Sequence, residues 1–177
     1  MFDRIKLRRQ ARTLRLLTSV TRQKRIANLD QIRDIGVVFT VGSEQEWNRL
    51  YAFTREMEKA GKRVYLIGFQ ADKTQINYIF SHSQTAIVHE KEELTFFGLP
   101  KEGVVDGFTS RHYDLLIDAT ADHPFFALYI AARSLADLKV CHCCQQQSDT
   151  LERVYDLLIR DEQPFDFNRY ITHIKQY

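Results

Sequence analysis

Cysteine, proline and glycine are all scarce in this 177-residue chain, at three, three and seven residues. The cysteines fall together in Cys141-His142-Cys143-Cys144, so they do not form the even, dispersed set that a secreted disulfide scaffold requires. A reducing, cytoplasmic compartment is the expectation. Proline, glycine and serine never gather into a linker across residues 26–177, which reads as one domain. No apolar run approaches the roughly 20 residues needed to cross a bilayer, and no signal-peptide core follows the basic start. A soluble protein with no transmembrane segment is expected. An arginine-rich, acid-poor start also suits a mitochondrial transit peptide, but serine is sparse there. The glycine patterns GxGxxG and GxxxxGK[ST] are missing too, so dinucleotide and P-loop readings lack their glycines, and no cofactor is expected.

What is present is ordinary in bulk and uneven in arrangement. Hydrophobic residues make up 44%, aromatics 12% and charged residues 27%, which excludes coiled-coil, collagen and low-complexity classes. The net charge of +2 conceals two opposed parts. Residues 1–25 carry nine Arg/Lys against one Asp (+8), and residues 26–177 carry sixteen against twenty-two acids (−6).

Residues 2–25 read as a helix. At 100° per residue, Arg4, Arg8, Arg12, Arg15 and Arg22 gather into an arc of about 80°. Leu7, Leu14 and Leu17 fall on a second side, and Ile5, Leu16 and Val20 on a third. Such a helix can pack apolar surface on the body while turning an arginine stripe to solvent. Next, Ile35-Gly36-Val37-Val38-Phe39 has the β-branched, uninterrupted character of a strand buried on both faces. Ser43 and Glu46 stand at capping-box spacing before Trp47, Leu50, Tyr51, Thr54 and Met57, and Gly61 supplies the stop. Residues 64–69 form a second strand and complete a βαβ unit. The stretch 70–112 is ambiguous, since residues 76–80 and 85–88 each fit a strand or a short helix. Beyond it come a strand at 114–118, a helix starting near Pro124 and running to Leu135, a strand at 138–143, a polar loop at 145–148 and a helix-like 150–154. That leads into the apolar 157–159, and Pro164 opens a last helix over about 165–177. The expected fold is α/β, Rossmann-like, with a mainly parallel sheet covered by helices on both faces and an appended basic helix.

The segment Tyr113-Asp114-Leu115-Leu116-Ile117-Asp118, with the helix after Pro124 and Leu138-Lys139-Val140, resembles the N-terminal Rossmann-like half of heptosyltransferase-type glycosyltransferases. More broadly, residues 94–100, the 114–118 strand and the overall length resemble a family of uncharacterised bacterial proteins with no assigned activity. A glycosyltransferase of that class needs a second Rossmann-like domain for its nucleotide sugar, and 177 residues leave no room for one. The resemblance therefore implies the fold and not the reaction.

In open α/β sheets, ligands bind beyond the carboxyl ends of the strands. That singles out residues 40–43, 118–123 and 142–144, and the neighbourhood of Arg160-Asp161. Thr40, Gly42 and Ser43 lead into a helix N-terminus that could hold an anion, or could simply cap the helix. Asp118, Asp122 and His123 are the candidate catalytic residues, because a carboxylate beside an imidazole suits acid/base work; Asp122 is equally a natural N-cap before Pro124. Cys141, Cys143, Cys144 and His142 carry soft ligand atoms, but strand alternation splits them between two faces, and His112 or His123 would be needed to complete a metal site. They read first as buried thiols, and no metal is expected. The pairs Phe96-Phe97 and Phe125-Phe126 read as core rather than as ligand platforms. Tyr170, His173, Lys175 and Tyr177 read as a packed terminal helix with a wet face.

The arginine stripe differs in kind. Arg4, Lys6, Arg8 and Arg9 stand at a helix N-terminus, where each opposes the macrodipole by up to about 1 kcal/mol. Something else should favour Arg4, Arg8, Arg9, Arg12, Arg15 and Arg22. The leading candidate is RNA or a ribonucleoprotein surface, contacted by a non-catalytic binding module. An anionic membrane surface is second. The remaining options are an arginine face folded onto the acidic body, within one chain or across a homo-oligomer, and a nucleotide- or nucleotide-sugar-binding protein using the strand ends.

Overall fold

A computed structural model describes residues 2–22, 24–25, 29–71, 78–79, 82–143 and 149–160. The chain opens with helix α1 (Phe2–Thr18), and a 3-10 turn at Leu29–Gln31 precedes the first strand. There follow β1 (Asp34–Thr40), α2 (Glu44–Lys59), β2 (Arg63–Gln70), β3 (Thr85–His89), and the short helices α3 (Glu90–Glu93) and α4 (Asp106–Thr109). The second half contains β4 (Leu115–Asp118), α5 (Phe125–Arg133), β5 (Leu138–Cys143), α6 (Asp149–Val154) and β6 (Leu157–Arg160).

The six strands pair in parallel in the order β3-β2-β1-β4-β5-β6. This is the doubly wound α/β arrangement, and the chain reverses direction across the sheet between β1 and β4. Alternation along each strand divides the core in two. Ile35, Val37 and Phe39 of β1, with Leu66, Ile117 and Val140, pack against Trp47, Leu50, Phe53 and Met57 of α2. Val38, Ile67, Leu116 and Cys141 face the opposite way, toward Phe126, Ile130 and Ala131 of α5 and Leu151 and Val154 of α6. Close approach demands glycine at Gly68, where a Cβ would stand 2.5 Å from the Phe39 ring.

The expected βαβ unit is present. Ser43 and Glu46 form a reciprocal capping box on α2, and Gly61 takes the left-handed conformation (φ 79) just past its end. Within the ambiguous stretch, residues 85–89 form β3, an edge strand whose partner is β2. Residues 94–100 form a tight turn closed by an antiparallel bridge between Leu94 and Pro100. The loop at 145–148, most of the 76–80 stretch and the helix expected over 165–177 lie outside the described residues.

Three expectations change. The basic helix ends at Thr18 and does not reach residue 25, because the Thr18 and Ser19 hydroxyls turn back onto the Leu14 and Leu16 carbonyls. Arg22 is therefore off the helix. Asp122 is exposed and does not cap α5; Pro124 occupies the N-cap position with no side-chain cap. Phe126 is core, but Phe96 is 68% exposed.

Candidate functional site

Helix α1 lies over α5 as an outer layer on one side of the sheet. Its inward side is made of Leu14, which is buried, and of half-buried Lys6, Gln10, Thr13 and Leu17. At mid-helix the Gln10 amide donates to the Phe97 carbonyl at 2.8 Å, and the Arg9 guanidinium sits 4.4 Å above the Phe97 ring. Phe2 meets Phe96 edge to face, with centroids 6.3 Å apart.

The far end is held by a strap. Arg22 donates to the Ala136 and Asp137 carbonyls at 2.7 and 2.8 Å and pairs with the Asp156 carboxylate. Lys24 reaches the other oxygen of Asp156 at 3.0 Å, and the Arg25 amide donates to the Asp137 carbonyl. Burial works to raise the Asp156 pKa. Hydrogen bonds from Arg22, the Lys139 amide and Lys24 outweigh it and leave the carboxyl below its ordinary value. Directly beneath, Lys139 of β5 is buried and donates to the Ala131 carbonyl near the end of α5 at 2.5 Å. Burial, with the nearby Arg22 charge, pushes this ammonium down to about 7.

Docking α1 along its Gln10 and Leu14 side sends the opposite side outward. At 100° per residue the outermost positions are Arg4, Arg8, Arg12 and Arg15, all of them exposed. None forms an ion pair among the described residues. Arg9 and Arg22 are engaged by Phe97 and Asp156 respectively. A shallow open groove along the helix is lined by Ile5, Arg8, Arg9, Arg12, Thr13 and Leu16.

The strand-end loops are organised differently. The Asp118 carboxylate is fully buried and accepts from the Thr120 amide (2.9 Å), the Thr120 hydroxyl (2.6 Å), the Tyr155 hydroxyl and His123 Nδ1 (3.0 Å). His123 Nε2 lies 2.5 Å from the His142 carbonyl, so both ring nitrogens face acceptors and the imidazolium form fits the site. A left-handed backbone (φ 43) aims the ring inward. Burial works to lower the His123 pKa, but Asp118, the His142 carbonyl and Asp122 overcome it and raise it. With both nitrogens and the carboxylate engaged, the arrangement ties the β4 exit to β5 and to the end of α6.

At the mouth of the switch point, Glu46 fills the N-terminus of α2: its carboxylate accepts from the Ser43 amide at 2.8 Å and the Ser43 hydroxyl at 3.0 Å. Thr40 is exposed, and the Gly42 carbonyl accepts from Tyr78. Cys141 is buried against the α5 side and His142 is buried next to it, while Cys144 lies outside the described residues. His112 pairs with Asp137 at 2.8 Å, away from the cysteines. Among the described residues no three His, Cys, Asp or Glu side chains are grouped to hold a metal.

A family model of unknown function, DUF6913, matches residues 6–177. The chain belongs to that family. No curated protein matches it. The match starts within α1, so the basic helix and the sheet fall inside one family pattern. This agrees with the resemblance to an uncharacterised family and assigns no activity. Among the described residues no helix is long and apolar enough to cross a membrane.

Sequence reasoning did not find Tyr155, Lys139 or Asp156. Only Lys139 carried a signal, as a cation inside an apolar strand.

Two outcomes follow. Arg22→Ala removes the main partner of a carboxylate whose side chain is 7% exposed, and should cost about 3 kcal/mol in urea unfolding. Because a lowered carboxyl contributes above its ordinary pKa and loses that contribution on acidification, this cost should shrink as pH falls below the carboxylate range. His123 has the opposite sign. Its raised pKa favours the folded state fully below the ordinary histidine value of 6.5, and that contribution is lost as pH rises through the folded value. The stability difference between wild type and His123→Gln should therefore narrow from pH 6 to pH 8, and histidine NMR titration should place His123 above 6.5.

Proposed function

We propose that the outward face of α1 is an RNA-docking surface on a non-catalytic Rossmann-like scaffold, used on free RNA or on a ribonucleoprotein particle in the cytoplasm. The observation that carries this reading is the disposition of Arg4, Arg8, Arg12 and Arg15. They are exposed, without acidic partners among the described residues, and diametrically opposite the side by which the helix is fastened. Folding against the acidic body accounts for Arg22 and Lys24, which meet Asp156, and leaves the other four unexplained. From Arg4 to Arg15 the stripe runs about 16 Å at 1.5 Å per residue, enough for several successive phosphates. Guanidinium forks suit phosphate oxygens, and favourable contacts there offset the cost of cations near a helix N-terminus. The nucleotide-ligand alternative has less support, since the α2 N-terminus is filled by Glu46 and Asp118 is saturated.

Removing residues 1–25 would not test this cleanly, because it also strips Arg22 and Lys24 from Asp156. The double substitution Arg8→Gln and Arg12→Gln leaves the strap intact. In fluorescence anisotropy with a labelled 20-nucleotide mixed-sequence RNA, it should weaken binding at least tenfold at low salt. It should also flatten the log–log salt slope by about 1.4, at roughly 0.7 per phosphate contact on a single strand. Salt-insensitive binding, an unchanged double variant, or binding to phosphatidylserine vesicles without RNA binding would overturn the proposal.

A further inference from the structure

We infer, resting on the reading above, that the RNA is single-stranded, with unstacked bases laid on Phe96 and Phe2 while the arginine stripe holds the phosphates. Among the described residues, six of the eight large exposed apolar side chains, Phe2, Ile5, Leu7, Leu16, Val20 and Phe96, lie on α1, just past its end, or against it. Phe2 and Phe96 are 73% and 68% exposed and form one aromatic surface, which the Phe96 to Phe97 contact (5.5 Å, 82°) continues inward.

The turn that carries Phe96 is closed by hydrogen bonds. The Thr95 amide donates to the Leu99 carbonyl and the Gly98 amide to the Thr95 carbonyl, both at 2.8 Å. The Thr95 hydroxyl accepts from the Leu99 amide at 3.2 Å, Gly98 is left-handed (φ 75), and Leu94 anchors the turn in the core. Phe97, beneath, is clamped by Gln10 and Arg9. The turn therefore holds Phe96 in solvent while its neighbour packs, which is how a preorganised stacking platform is built.

The occupant follows from geometry and charge. A duplex keeps its bases stacked inside, and the deep, narrow A-form major groove excludes side chains, so exposed phenylalanines would have nothing to stack on. An interfacial membrane helix presents its apolar side to the lipid with cations away from it. In α1 the arginines are outermost, while Phe2, Ile5 and Leu16 occupy one flank, with Phe96 against Phe2. Single-stranded RNA satisfies both features, phosphates on the crest and bases on the aromatic flank.

The test uses the full chain, a labelled 12-nucleotide mixed-sequence RNA, and the same strand annealed to its complement. The single strand should bind at least tenfold tighter than the duplex at equal salt. Phe96→Ala should weaken single-strand binding about tenfold and leave duplex binding unchanged. Phe96→Trp should retain affinity and add an emission that RNA quenches, since the chain's single tryptophan, Trp47, is buried. Equal or tighter duplex binding, full single-strand affinity in Phe96→Ala, or no quenching in Phe96→Trp would overturn the inference. If the Arg8 and Arg12 double variant still weakened binding in those cases, the phosphate-docking reading would stand without it. Absence of binding to either RNA would remove both.

Discussion

The pairing of Arg22 with Asp156 is the constraint on which the placement of the first helix depends. Asp156 lies between α6 and β6, and its side chain is nearly buried. A carboxylate in that position is tolerable only with cations and amides around it, and Arg22, Lys24 and the Lys139 amide supply them. The same guanidinium spans the Ala136 and Asp137 carbonyls at the start of β5. The strap thus joins the N-terminal segment to the core across more than a hundred residues of sequence. With Arg9 and Gln10 at mid-helix fixed on Phe97 and the strap beyond its C-terminus, α1 is held at two points and its rotation is set. That rotation, rather than arginine content, turns one stripe to the outside.

Buried ionisable groups are used twice more in the sheet. Lys139 donates to a carbonyl near the end of α5, which would otherwise lack a partner within the helix. Asp118 and His123 join three elements through hydrogen bonds at the end of β4. In many doubly wound proteins this edge is a ligand cleft. Among the described residues Asp118, His123 and Glu46 at this edge are turned on neighbouring groups, while Arg4, Arg8, Arg12 and Arg15 of the outer helix form no ion pair.

Much of the fold was legible because local signals agreed with one another. The apolar strings at β1, β2, β4 and β5 could be buried only in a covered parallel sheet, and Ser43, Glu46 and Gly61 marked α2 at both ends. β3 was ambiguous because five residues with one buried position carry little periodicity. The end of α1 was misread for a different reason. Arg22 fits the helical arc by arithmetic, and the partner that draws it away is 134 residues distant. Asp122 has the right spacing for a cap, but the chain turns at His123 to satisfy Asp118 and carries Asp122 into solvent. The arginine stripe was readable, since it needs only helical spacing. The exposed ring of Phe96 was not, because its exposure is set by the Thr95 to Leu99 turn and by what α1 covers beneath it.

The outward arginine face exists only while α1 is docked and held by the strap. Amide hydrogen exchange on the full chain reads this directly. If the account is correct, amides within residues 6–17 exchange about a hundredfold or more slower than in an unstructured peptide, and Arg22→Ala speeds them more than it speeds the amides of α2. Exchange of those amides at free-peptide rates in the wild-type chain, or protection unchanged by Arg22→Ala, would contradict it.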